Sequence, residues 1–144
     1  MNPWRDIERS IRAATGASFS IESRAAAGGG CINECHVVRG GELAFFVKLN
    51  APERAEMFSA EAEGLREIAR TRTVRVPEPI CHGASAGACW LVLEHLELCS
   101  RDERSSRELG VDLARMHRVA GGRYGWRRDN TIGATPQINT ESDD

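Results

Sequence analysis

The sequence predicts an α+β fold, helices packed on an antiparallel sheet. Three observations carry this. Apolar residues recur at helical spacing in three separate stretches. Two β-rich runs flank a Gly-Gly turn, the pattern of a hairpin. The elements then follow in the order helix, three strands, helix, two strands, helix, tail, for which a sheet covered by helices is the natural solution.

The elements follow in chain order. Residues 3–15 read as a helix, because Trp4, Ile7, Ile11 and Ala14 are spaced three, four and three apart and Gly16 ends the run. Residues 18–27 read as a strand that runs into Gly28-Gly29-Gly30. Glu34–Arg39 and Leu43–Leu49 form the hairpin around Gly40-Gly41. A helix over 53–70 begins just after Pro52. Residues 74–83 carry Pro77 and Pro79 and are therefore an extended edge segment rather than a central strand. Cys89–Glu94 is a short buried strand. Residues 102–119 form the last helix, with Leu109, Leu113, Met116 and Val119 or Ala120 expected to face inward. From Gly121 to Asp144 no apolar period remains, and the reading is loop.

Length and composition bound the function. A chain of 144 residues and 15.8 kDa fits one ordinary domain with a core that needs no staples. Hydrophobic content of 41% and charged content of 28% exclude a disordered chain, a collagen and a coiled coil. No 18 apolar residues run together, and the first residues lack the apolar core of a signal peptide. With a net charge of −2 and no basic block, neither nucleic acid nor a membrane surface is an expected partner. Five cysteines, at 31, 35, 81, 89 and 99, are an odd number and imply free thiols in a reducing, cytoplasmic setting. Their spacing matches no common zinc module, so no metal site is expected from them.

One compositional oddity leads to the site. Of nineteen basic residues, Lys48 is the single lysine. It interrupts the apolar run Phe45-Phe46-Val47-Lys48-Leu49, and strand parity puts it on the face of Phe46. An unpaired ammonium on such a face costs several kcal/mol, so Lys48 needs a carboxylate or a phosphate. The following helix supplies a candidate. Its inward stripe runs Phe58, Glu61, Leu65, Ile68, which puts the Glu61 carboxylate inside an apolar face, while Glu63 lies about 200° round the helix. The glycine run at 28–30 lets backbone N–H groups approach phosphate oxygens, although it lacks the lysine and helix of a P-loop. Finally, Leu91-Val92-Leu93-Glu94-His95-Leu96 is a buried strand that turns polar, the kind of edge an adenine ring needs. Glycine turn, strand lysine, helix glutamate and strand-to-connector resemble, in this order, the small lobe of a protein-kinase-like phosphotransferase.

The runs GGGCIN (28–33), FFVKLN (45–50), MFSAEAEGL (57–65), RVPEP (75–79), LVLEHLEL (91–98) and DNTIGATPQIN (129–139) resemble the fructosamine/ketosamine-3-kinase family, which is similar in fold to the aminoglycoside phosphotransferases. The resemblance covers essentially the whole chain. It implies that residues 1–97 are a kinase-like N-terminal lobe and that 98–144 are the connector, helix and loop of an incomplete C-terminal lobe. It further implies that Lys48 holds the α- and β-phosphates of ATP, that Glu61 orients Lys48, and that Gly28, Gly29, Gly30, Cys31, Ile32 and Asn33 cover the phosphates. Glu94, His95 and Leu96 would bind adenine through backbone groups. The implied reaction is γ-phosphoryl transfer from ATP, with Mg2+, to a sugar hydroxyl of a small or protein-bound ketosamine. Asp129, Asn130 and Gln137 either border the acceptor site or serve turn chemistry, two readings that stay open here. Cys31 reads as a small residue of the turn, with a redox role as the other reading.

The pattern also breaks. The family's His-Gly-Asp loop, with Asp as base and a later magnesium-binding Asp, has no match: His82-Gly83 continues into Ala84, and His117 into Arg118. The base and the metal ligands are expected beyond Asp144, and the chain by itself is expected to be inactive. Two other readings remain: a small-molecule kinase of the aminoglycoside or choline type, and a non-catalytic nucleotide-binding or interaction module.

Overall fold

The computed structural model describes residues 2–28, 32–100 and 102–143. Gly29, Gly30 and Cys31 of the glycine-rich turn lie outside the described residues. The elements are α1 (Trp4–Thr15), β1 (Ser23–Ala26), β2 (Glu34–Gly40), β3 (Leu43–Asn50), a 3-10 turn (Pro52–Arg54), α2 (Ala55–Arg70), β4 (Pro79–Ser85), β5 (Ala88–Glu94), α3 (Glu103–Met116), β6 (Asn130–Ile132) and β7 (Thr135–Gln137). Strands β1 to β5 form one antiparallel sheet in the order β1-β2-β3-β5-β4, and β6 and β7 form a separate hairpin.

Helices cover both faces of the five-stranded sheet, and side-chain alternation along β3 serves both. Phe45, Val47 and Leu49 point to a core shared with Ile7 and Ile11 of α1, Phe19, Val38, Trp90 and Val92. Phe46 points the other way, to a second core with Phe58, Ala62 and Leu65 of α2 and with Cys89, Leu91 and Leu93 of β5. Residues Ala88 to Leu93 of β5 are all buried, as expected of a strand between two neighbours with both faces covered. The hairpin between β2 and β3 turns at Gly41, whose φ of 56° is comfortable only for glycine. Gly40 is constrained differently: a Cβ there would sit 1.9 Å from the carbonyl oxygen of Ser20.

Four sequence expectations need correction. The strand expected over 18–27 shrinks to Ser23–Ala26. Side chains of α1 take the backbone groups that a longer strand would share: Glu8 Oε1 accepts from the Ile21 N–H at 2.7 Å, and the Arg12 guanidinium donates to the Phe19 carbonyl. The segment expected at the edge over 74–83 is at the edge, but its strand, β4, begins only at Pro79, and a register shift follows between Pro79 and Cys81. The last helix does not bury its apolar stripe. Leu109 is 51% exposed, Leu113 37% and Val119 56%, because no element among the described residues packs over them. What holds α3 is local. Asp102 caps it by accepting from the Ser105 N–H at 2.6 Å, and the Ser105 hydroxyl accepts from the Asp102 N–H at 3.0 Å. Finally, the tail read as loop contains the β6–β7 hairpin, turned at Gly133 (φ 61°), and a bridge between Tyr124 and Ser142.

Candidate nucleotide site

The two side chains that the sequence pairs do meet. Lys48 Nζ donates to Glu61 Oε1 at 2.6 Å. Strand parity sends Lys48 out of β3 beside Phe46, and the helical stripe brings Glu61 down from α2 onto the same sheet face. Both are mostly covered, with side-chain exposures of 20% and 30%. Charge-assisted bonds of this kind are short and about twice as strong as neutral ones.

The pair borders a cavity of about 300 Å3, whose other walls are Ile32, Asn33, Met57, Ala60 and the Asn130, Thr131 and Gly133 stretch of the tail hairpin. Asn33 is fixed from below. Its Oδ1 accepts from Asn50 Nδ2 at 2.8 Å, and the same nitrogen donates to the Ile32 carbonyl at 3.1 Å. The end of β3 thereby holds the segment that follows the glycine run. Gly28, at the start of that run, has open space where a side chain would stand. Cys35 is the cross-strand partner of Lys48. Burial pushes its thiol above the ordinary cysteine value, and the Lys48 ammonium partly offsets this.

A second cavity, of about 250 Å3, is nearly all apolar and is lined by Phe46, Pro77, Leu93, Glu94, Leu96 and Leu98. Phe46 lies two residues from Lys48 on the same strand face, about 7 Å along β3. An apolar slot and a cavity walled by the Lys48–Glu61 pair are thus neighbours on one side of the sheet. At the rim, Glu94 ends β5, and its N–H donates to the Glu78 carbonyl at 2.8 Å. Its carboxylate is held by the Arg75 guanidinium and by the Glu78 N–H, at 3.2 Å for the latter. The hydrogen bond from Arg75 holds the Glu94 carboxyl below its usual range. The open connector groups therefore belong to His95 and Leu96, whose backbone groups find no partner among the described residues.

The tail motif divides between the two readings the sequence left open. Asn130 reaches the Lys48 cavity. Asp129 Oδ1 instead accepts from the Asn139 N–H at 2.8 Å, a turn bond inside the loop. Gln137 pairs with Asn130 across the hairpin and does not line the cavity. Asn139 Nδ2 donates to Asn130 Oδ1 at 2.9 Å and closes the loop on itself. Sequence reasoning missed Thr131 and Gly133, which line the cavity, and it missed Trp126, Arg127 and Arg128, which grip α2. Ile-Gly-Ala-Thr has the length and the glycine of a two-residue hairpin turn, which was the available clue. The other clue was Glu56, Glu63 and Glu67, seven and four apart, an acidic stripe on one side of α2 that a Trp-Arg-Arg run can answer.

With this geometry in place, the likeness to known proteins is specific. A sequence profile of the fructosamine kinase family matches residues 3–144. A probable ketoamine kinase of Synechocystis is 47% identical over 142 residues, which span 98% of this chain and 48% of that protein. A chloroplastic protein-ribulosamine 3-kinase of Oryza sativa is 40% identical over 129 residues, 87% of this chain and 37% of that protein. In three dimensions, the crystal structure of a candidate fructosamine-3-kinase of Haemophilus somnus superposes with a TM-score of 0.89 at 26% identity, covering 99% of this chain and 50% of that one. This chain spans about half the length, or less, of the curated relatives it matches. Its α+β architecture, with an antiparallel sheet and a lysine–glutamate pair between strand and helix, is that of a kinase-like N-terminal part. The chain belongs to the fructosamine kinase family.

Proposed function

We propose that this chain is the nucleotide-gripping part of an ATP-dependent ketosamine kinase, a phosphotransferase to a sugar hydroxyl. The observation that carries the reading is the 2.6 Å Lys48–Glu61 pair on the sheet face that also holds the apolar slot. A nucleotide has these two ends, a flat apolar base and an anionic tail. In this reading adenine enters the slot between Phe46, Leu93 and Leu96, with the backbone groups of His95 and Leu96 facing its edge. Lys48 meets the α- and β-phosphates and Glu61 keeps the ammonium aimed at them. Gly28, Ile32 and Asn33 stand over the phosphates in this reading, with Asn33 steadied by Asn50. Asn130 and Thr131 stand at the far wall of the phosphate cavity, where they border the acceptor. The division into an N-terminal lobe, 1–97, and the start of a second lobe, 98–144, belongs to the same reading.

The two cavities fit ATP in chemistry and in order along β3. Magnesium is a different matter. Among the described residues no group of three or more His, Cys, Asp or Glu side chains is placed to hold a metal ion. Lys48 and Glu61 position the nucleotide, and no described side chain stands as base for a sugar hydroxyl, so the 144-residue chain by itself is expected to bind without turnover.

Titration calorimetry with Mg·ATP tests the reading. Saturable one-site binding is expected, and the absence of any saturable heat would overturn it. Acceptor-dependent ADP release by the isolated chain, abolished in Lys48→Ala, would overturn the second half of the reading and leave the first intact.

A further inference from the structure

The Lys48–Glu61 pair depends on where α2 sits, and besides a hydrogen bond from Arg66 to the Pro79 carbonyl at 3.3 Å, two sets of contacts hold α2. One is the apolar contact of Phe58, Ala62 and Leu65 with the sheet. The other lies on the far side of the helix and comes from three consecutive residues of the tail. Trp126 Nε1 donates to both carboxylate oxygens of Glu67, at 3.0 and 2.9 Å. Arg127 pairs with Glu63. Arg128 makes four contacts: Ser59 Oγ at 3.0 Å, Glu63 Oε2 at 3.0 Å, Glu56 Oε2 at 2.8 Å and the Glu56 carbonyl at 3.4 Å.

The gripped positions 56, 59, 63 and 67 are spaced three, four and four, one stripe of the helix. At about 100° per residue, that stripe faces away from Glu61, which lies roughly 160–200° from Ser59 and Glu63. The chain then passes round α2, so that Asn130 and Thr131 stand on the near side beside Lys48 and Glu61. Arg128 and Glu63 are sheltered, with side-chain exposures of 25% and 19%, which limits screening by salt.

We propose that Trp126-Arg127-Arg128 is a clasp that positions the site from behind, with Arg128 as the positioning residue that acts through α2 to keep Glu61 on Lys48. Its importance for nucleotide affinity rests on the function proposed above. The clasp itself is a claim about the Lys48–Glu61 pair and is measurable without nucleotide.

The sequence provides the probe. Lys48 is the only lysine, so an amine-selective acylating reagent has one side-chain target besides the N-terminal amine. An ammonium held by a carboxylate reacts slowly, because the nitrogen attacks the acyl carbon only as a free amine, after the ion pair has opened and the proton has left. Acylation of Lys48, followed by peptide mass, therefore reads the pair directly in the full chain. Glu61→Gln sets the rate of an open pair. Arg128→Ala is expected to raise the rate towards that value, about tenfold over wild type, with Trp126→Phe raising it less. The double variant Glu61→Gln/Arg128→Ala is expected to react no faster than Glu61→Gln alone, because Arg128 acts only through that pair. Circular dichroism identifies folded variants, and if Arg128→Ala does not fold, Trp126→Phe and Arg128→Lys carry the comparison. Wild-type acylation in the folded variants, or multiplication of the two single effects in the double variant, would overturn the clasp. Protection of Lys48 by Mg·ATP is a separate arm. Its failure would refute the nucleotide reading and leave the clasp standing.

Discussion

Replacing Lys48 by Met tests the proposed phosphate site most sharply, because that proposal entails two separable losses. Met keeps much of the apolar stem and removes the ammonium. A charge-assisted hydrogen bond to a phosphate oxygen is lost, worth about 1.5–3 kcal/mol. Glu61 is left behind as an unpaired carboxylate on the wall of the same cavity. Its repulsion on a phosphate 4 Å away lies between about 1 and 4 kcal/mol, depending on screening. With 30% of the Glu61 side chain open to water, about 1 kcal/mol is the appropriate figure. Together these come to about 3 kcal/mol, a loss of about 150-fold in Mg·ATP affinity. The second loss is reversible by design. In Lys48→Met/Glu61→Gln the carboxylate is gone, so affinity recovers by about fivefold over the single variant. Titration calorimetry at low ionic strength, with folding checked by circular dichroism, gives both numbers. Wild-type affinity in Lys48→Met would remove Lys48 from the phosphate site. A double variant that binds no better than the single would remove Glu61 from the cavity wall and refute the charge argument.

Other expectations follow from packing and burial. Phe58→Ala empties the fully buried contact between α2 and the sheet, so urea unfolding should show a loss of about 3–5 kcal/mol. Gly40→Ala drives a Cβ into the Ser20 carbonyl, whereas Gly28→Ala meets open space; urea midpoints should fall clearly for the first and hardly move for the second. Burial pushes the Cys81 thiol up to about 11. Because that value is raised on folding, the stability contribution of the neutral thiol is complete below about pH 9 and is lost as pH rises from there through 11. At pH 8, iodoacetamide should alkylate the exposed Cys99 well before Cys81, and equal rates would contradict the burial argument.

The sheet and the Lys48–Glu61 pair were legible because each rests on a strong local pattern. Alternation in Phe45 to Leu49 set the parity of Lys48, and the three-four-three stripe of α2 set the direction of Glu61. The last helix shows the limit of the same rule. The spacing of Leu109, Leu113 and Met116 reports what a helix is able to cover, not whether a surface is there to be covered, and here the stripe is exposed. The tail escaped for the opposite reason. Strands β6 and β7 have three residues each and bury none, so they carry no alternation to detect. Their place is set by polar contacts between Trp126, Arg127, Arg128 and the acidic side of α2, and such contacts leave little periodic trace in a sequence. At the connector, Glu94 was singled out with His95 and Leu96, but the structure places its N–H and carboxylate in bonds to Glu78 and Arg75.

The lone lysine in β3 also has a consequence for how the chain finds its fold. A strand with apolar residues on both sides is prone to slip, because sliding it by one residue against β2 and β5 merely exchanges one greasy face for the other. In β3 such a slip would carry Lys48 from the cleft into the core beneath α1, among Phe19, Val38 and Trp90, and among the described residues no charged side chain is buried there. The energy of a buried, unpaired ammonium then separates the two arrangements by several kcal/mol. The residue that pairs with Glu61 in the finished structure therefore also acts as an alignment key during folding. Lys48→Met should consequently refold with more misaligned sheet than the wild-type chain does.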